Sequence, residues 1–264
     1  MIPIRDHNPA TRTAYFTYGL LALNVVIFLA YVPMFSDPRR LTGFFLTYGI
    51  IPAQIEAGGA YGTLLTSMFL HGGWMHLLGN MLFLHIFGDN LEDRLGHLRF
   101  GLFYLACGLG AGMIQVLADP GSTVPVVGAS GAIAGLMGGY LLMFPRARID
   151  IFVFLIVLVR IIPVPAWAML GLWFGLQVFN GLGTPSDVGG VAYWAHAGGF
   201  VLGMVLMVPS WIRAGGPAFW ARTNGHPDNP EARYRFARSP VPRVRRRRAP
   251  PEISRVPRVP KRKG

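Results

Sequence analysis

GASGAIAGLMGG, residues 128–139, reads as the opening of an apolar helix made to be approached closely. Gly131, Gly135 and Gly139 recur at i+4 with Ala134 and Gly138 beside them, so one helix face is nearly bare and a neighbouring backbone can press against it. Ser130 stands at the upper end of that stripe, in a G-x-S-G with Gly128 and Gly131, and glycine on either side leaves its hydroxyl open. Alone this pattern is weak, because membrane helices are enriched in small residues for packing alone.

A second bare stripe lies toward the C-terminus, in AHAGGFVLG, residues 195–203. His196, Gly199 and Gly203 fall at i, i+3 and i+7, which places the imidazole in line with two glycines. A serine hydroxyl is a poor nucleophile until a base accepts its proton. Histidine does this near neutral pH without burying a permanent charge. Two close-packing helices, one bearing Ser130 and one His196, are expected to bring the two groups together.

Toward the N-terminus, HGGWMHLLGN, residues 71–80, places polar groups where hydrocarbon-facing chain is expected, and such groups in a membrane point to function. His76 and Asn80 are four apart and share one helix face, both able to donate hydrogen bonds into a common cavity, as an oxyanion requires. His71, five residues earlier, is expected to line the same cavity from the loop side. A lone His or Asn in a span is as readily a joint between helices, and His85 and His97 take that structural reading.

The rest of the chain supplies the membrane. Apolar residues make up 52% of the 264 and charged residues only 14%, and the mean hydropathy is +0.43, too apolar for an ordinary soluble domain. Apolar runs at roughly 15–35, 75–90, 99–118, 126–144, 165–183 and 191–210 predict six spanning helices. The stretch 150–163, DIFVFLIVLVRIIP, is broken by Arg160 and Pro163 and reads as a membrane-dipping or surface segment. The N-terminus lacks a signal peptide's short apolar core and small-residue cleavage site, so the first run is expected to stay in the membrane.

Arg5, Arg12, Arg94, Arg99, Arg146, Arg148 and Arg160 alternate with loops lacking basic residues, and only Arg39 and Arg40 in the first loop oppose the bias. Both termini are therefore expected in the cytoplasm, in a bacterial-type plasma membrane. Of the 24 Lys and Arg, 15 lie at or beyond Arg213. The basic character thus belongs to a Pro/Arg-rich tail, expected to be disordered and to lean on anionic headgroups, and nucleic acid is not an expected partner. The domain reading is a cytoplasmic segment 1–14, a six-span domain 15–212 and the tail 213–264.

Cys107, the one cysteine, reads as a small core residue. Without H-E-x-x-H or a compact His–carboxylate cluster in the spans, no metal and no cofactor is expected. No carboxylate falls within a span near these residues either, since Asp119 and Asp187 lie in external loops and Asp150 at the cytoplasmic end of the fourth helix. A dyad is the economical reading, its imidazole held by packing or by an aromatic ring, with Tyr140 and Tyr193 as positional candidates.

Taken in order, H-x4-H-x3-N (His71, His76, Asn80), G-x-S-G (Gly128 to Gly131) and A-H-x2-G (Ala195 to Gly199) in successive even-numbered spans resemble the rhomboid family of intramembrane serine proteases. Glu92 and Gly96 also resemble that family's E-x3-G connection between the second and third spans. The resemblance runs from about Asn24 to Val208. It implies an all-α membrane protein, a six-transmembrane-helix bundle, that cleaves transmembrane segments of other proteins near the membrane face. It also implies Ser130 as nucleophile, His196 as general base and acid, and His76, Asn80 and the Ser130 N–H as oxyanion hole. Around them His71, Gly128 and Gly131 line the site, and Gly135, Gly199 and Gly203 pack the helices. The alternative is a catalytically inactive relative that binds membrane clients. The chain departs from the pattern in lacking a Trp-Arg pair in the first loop and in carrying the arginine-rich tail.

Overall fold

Each of the six apolar runs becomes a helix. The computed structural model describes residues 2–155, 158–183, 190–232 and 234. In chain order the elements are β1 (Ile2–Asp6), α1 (Tyr15–Tyr31), α2 (Pro38–Tyr48), α3 (Pro52–Glu56), α4 (Thr63–Thr66), α5 (Trp74–Leu95), α6 (His97–Ala118), α7 (Ser130–Met143), β2 (Arg148–Leu155), β3 (Leu158–Pro165), α8 (Ala166–Gly183), α9 (Tyr193–Ala214) and α10 (Pro217–Thr223). The expected spans correspond to α1 and α5 to α9. Among the described residues, Tyr15–Ser36, His97–Ala118 and Tyr193–Ala214 are each long and apolar enough to cross a bilayer, while α7 is apolar but shorter.

Polar joints fix the direction of each helix. At one end of the bundle Glu92, late in α5, accepts hydrogen bonds from the backbone N–H groups of Phe16 (2.8 Å) and Thr17 (2.7 Å) and from the Thr17 hydroxyl (2.7 Å), so its carboxylate caps the start of α1. At the other end the Tyr31 hydroxyl donates to the His71 carbonyl (2.9 Å) and accepts from the His71 N–H (2.7 Å). Successive long helices therefore alternate in sense, and α5, α7 and α9 run the same way. Gly96 makes the α5–α6 reversal at φ +79°, a left-handed value that favours glycine.

Helix α7 lies at the centre, with every residue from Gly131 to Tyr140 buried. Val26 on α1, Leu102 on α6, Phe179 on α8 and Val205 on α9 are exposed and apolar, as lipid-facing positions require. The first loop needs no Trp-Arg pair to hold it. Tyr31 packs against Phe35, Phe44 and Phe45, and a β-bridge joins Ile50 to Val126.

The all-α reading needs a correction, because β1, β2 and β3 form an antiparallel sheet in that order. Within RIDIFVFL, Ile149, Ile151 and Val153 are buried while Phe154 is exposed, the alternation of a half-buried strand. The stretch 150–163 is thus mostly hairpin. Asp150 pairs with Arg5 (2.8 Å) and His7 (2.8 Å), and although burial pushes its carboxyl up, these partners hold it low. On the opposite face Asp6 accepts hydrogen bonds from the Tyr140 hydroxyl (2.7 Å) and Asn90 Nδ2 (2.9 Å), yet burial still pushes it up to about 7.

The expected disorder from residue 213 is overturned as far as residue 232. Helix α9 runs to Ala214 and α10 follows. Phe219 is fully buried, with the guanidinium groups of Arg94 and Arg222 over its ring. Trp220 packs against Trp211 with the rings tilted at 53° and donates from Nε1 to the Leu142 carbonyl at 3.0 Å. Three aromatics outweigh the local basic composition. The expected tail beyond residue 234, Arg245 to Arg248 included, lies outside the described residues.

Candidate active site

Ser130 is the first residue of α7, so the N–H groups of that turn have no intrahelical acceptor and its side chain leaves the helix end. His196 is the fourth residue of α9. Its Nε2 lies 2.7 Å from Ser130 Oγ. The first turn of α9 is held by Gln115 of α6, whose Oε1 accepts the Ala195 N–H at 3.0 Å, satisfying an otherwise orphaned donor next to the histidine.

Glycine contact sets this spacing. A Cβ on Gly199 would strike the Gly131 carbonyl, and one on Gly203 would strike the Gly135 backbone. The two stripes therefore meet backbone to backbone, Gly131 facing Gly199 and Gly135 facing Gly203. Cys107 fills the side of Gly135 as a buried thiol.

On the other flank, Gly72 N–H donates to His76 Nδ1 at 3.3 Å. A neutral imidazole that accepts at Nδ1 carries its hydrogen on Nε2, and Nε2 points at Gly128. A Cβ on Gly128 would sit 2.7 Å from that nitrogen and 3.3 Å from Ser130 Oγ. Gly128 also has φ +134°, so both its backbone and its surroundings demand glycine. Asn80 Nδ2 is buried without a hydrogen-bond partner among the described residues.

These groups share a cavity of about 960 Å³, lined among others by Trp74, His76, Asn80, Gly128, Ser130, Gly131 and His196. His71 is brought close but not into the lining. Its ring stands 5.2 Å from that of His76, edge to face, and it is wholly buried beside Phe28. Among the described residues Asp119 is a carboxylate in the cavity lining, but no carboxylate bonds to Ser130 or His196, whose partners are each other and Gln177. Asp6, Glu92 and Asp150 lie at the opposite end of the bundle.

Neither tyrosine considered for the imidazole holds it. Tyr140 is bonded to Asp6 at the far end, and Tyr193 lines the cavity without stacking on the ring. Helix α8 supplies both partners instead. The Trp173 ring lies 5.8 Å from His196 at 32°, and Gln177 Oε1 lies 2.9 Å from His196 Nδ1. In the sequence Gln177 stands one turn beyond Trp173 and shares its apolar span with a second polar residue, Asn180, so nothing local singles it out.

Residues 58–212 match the family model described as the Rhomboid domain. RHOMBOID-like protein 4 of Arabidopsis thaliana is 34% identical over 160 residues, 61% of this chain and 38% of that protein. Rhomboid protein 1, mitochondrial, of Saccharomyces cerevisiae is 28% identical over 199 residues, 74% of this chain and 53% of that protein. Rhomboid-like protein 11, chloroplastic, of Arabidopsis thaliana is 33% identical over 132 residues, 50% of this chain and 43% of that protein. The chain thus spans about half the length, or less, of these curated relatives.

Proposed function

The chain belongs to the rhomboid family, and from that premise we propose that it is an intramembrane serine endopeptidase that cuts transmembrane segments of other proteins with a Ser130–His196 pair. The observation that carries this reading is the 2.7 Å contact between Ser130 Oγ and His196 Nε2 at the wall of a cavity between apolar helices. In the resting enzyme Oγ–H donates to Nε2. As Oγ attacks the scissile carbonyl, Nε2 takes the proton and returns it to the leaving amine, and water then hydrolyses the acyl-enzyme by the same route in reverse.

The developing oxyanion has three donors at hand: the orphaned Ser130 N–H, His76 Nε2–H and the unpartnered Asn80 Nδ2. A buried amide donor without a partner costs about 1–3 kcal/mol in the resting state. That cost is recovered when negative charge forms beside it. A substrate helix must release backbone hydrogen bonds to expose its carbonyl, so Gly or Pro near the cut makes a segment easier to cleave.

The six long helices form a six-crossing bundle in this reading. A helix of 14 residues spans roughly 21 Å at 1.5 Å per residue, against a hydrocarbon core of about 30 Å. With its far end near one interface, α7 leaves Ser130 below the level of the other. Arg5, Arg12, Arg94, Arg99, Arg146, Arg148 and Arg160 gather at the sheet end, which faces the cytoplasm in this reading, with Arg39 and Arg40 the exceptions at the other end, and the cavity opens toward the opposite side.

Labelling with a fluorophosphonate probe tests the proposal. The purified protein in lipid is expected to label, and both Ser130→Ala and His196→Ala to lose the label. A folded, unlabelled wild type would overturn the reading in favour of a client-binding role.

A further inference from the structure

Building on the proposed pairing of Ser130 with His196, we infer that Gln177 is the positioning residue for the base, completing a Ser–His–Gln relay in which an amide stands where soluble enzymes commonly place a carboxylate. The inference follows from donor and acceptor accounting. Gln177 Nε2 approaches the Trp173 carbonyl at 3.3 Å, and a carbonyl only accepts, so the amide nitrogen must face it. The amide oxygen then faces His196 Nδ1 at 2.9 Å. Oε1 cannot donate, so Nδ1 carries the hydrogen. A neutral imidazole has one N–H, which leaves a lone pair on Nε2 directed at Ser130 Oγ. The Trp173 carbonyl thus fixes the amide, the amide fixes the tautomer, and the tautomer leaves the base ready.

Position and chemistry agree with this role. The buried residues of α8 are Ala166, Leu170 and Gln177, and packing alone asks for nothing polar at the third. Trp173, one turn earlier, lies over the same imidazole, so one helix sets both its plane and its tautomer. An uncharged acceptor also suits the surroundings, because a carboxylate in an apolar interior carries a heavy desolvation cost and tends to take up a proton. When the imidazole becomes cationic in the transition state, the amide dipole still stabilises Nδ1–H.

Two substitutions separate positioning from packing. Gln177→Met keeps the volume and removes the acceptor, whereas Gln177→Glu restores an acceptor with charge. The expected result for Met is a fluorophosphonate labelling rate lower by about 10- to 100-fold, the range typical when the outer partner of a functional imidazole is lost, with unchanged thermal stability. For Glu, labelling persists and the acidic limb of its pH profile moves to higher pH, since a negative neighbour favours the imidazolium. Wild-type rate and pH profile in the Met variant would overturn the inference while leaving Ser130 and His196 in place. A readout independent of activity is the ¹⁵N spectrum of His196. Protonation at Nδ1 in the wild type and its loss in the Met variant are expected even if the proposed protease reading fails, and an Nε2–H tautomer in the wild type would refute the relay.

Discussion

Thr17 gives both its backbone N–H and its hydroxyl to one oxygen of Glu92, each at 2.7 Å, across 75 residues of chain. A buried carboxylate at the α5–α6 reversal therefore holds the first helix by its N-terminus. Glu92→Gln keeps the shape but gives up the charge, and hydrogen bonds to charged groups contribute about 1.5–3 kcal/mol. The variant is expected to lose about that much stability in detergent unfolding. Once the carboxyl takes up a proton the charge behind these bonds is gone, so its contribution is lost on acidification. The Gln variant should close the gap with wild type on acidification, and a pH-independent gap would contradict this role.

Asp6 carries the opposite sign. Burial raises its carboxyl from 3.8 to about 7, so the folded state holds a proton that the unfolded state has released. Stability attached to Asp6 is complete below pH 3.8 and declines as pH rises to about 7, with a steepest slope of about 1.4 kcal/mol per pH unit. Asp6→Asn should remove this slope. Unfolding midpoints of the two proteins between pH 5 and 8 would check it, and parallel curves would refute it.

Loss of one oxyanion donor typically lowers turnover about 100- to 1000-fold. Asn80→Ala and His76→Ala are each expected in that range in cleavage of a model transmembrane substrate, with KM changed little. A loss confined to KM would place these groups in substrate binding instead.

Gly203→Ala tests the helix contact. The added methyl meets the Gly135 backbone, and overpacking of this kind costs about 1–3 kcal/mol. Lower thermal stability and slower probe labelling should appear together, because the same contact sets the Ser130–His196 distance. Gly128→Ala should behave differently. Its methyl meets His76 Nε2 at 2.7 Å, so labelling should fall further for a given loss of stability.

Six helices and the residues converging on the cavity were legible because they rest on local patterns: long apolar runs, glycines at i+4, and His76 and Asn80 on one helix face. Long-range pairing was not legible. The strand Ile2–Asp6 pairs with residues near 150, and in RIDIFVFL an apolar run concealed a period of two. The helix at Pro217–Thr223 was masked by arginines that flank Phe219 and Trp220. Gln177 has no signature of its own, since its meaning depends on the Trp173 carbonyl and on His196 arriving from another helix. His71 looked like a lining residue from sequence distance alone, whereas its backbone bonds to Tyr31 turn it behind His76.

The C-terminal segment bears on how the molecule carries mechanical load. Ala232 N–H bonds to the His7 carbonyl, and the His7 N–H to the Arg148 carbonyl, while Glu231 pairs with Arg148 and Asp228 with Arg94. Tension applied at Ala232 is therefore met first at His7, just beyond β1, and at Arg148 of β2, and then through Asp228 at Arg94 on α5. A machine pulling from that side would have to break these contacts before it could draw α9 out of the bilayer.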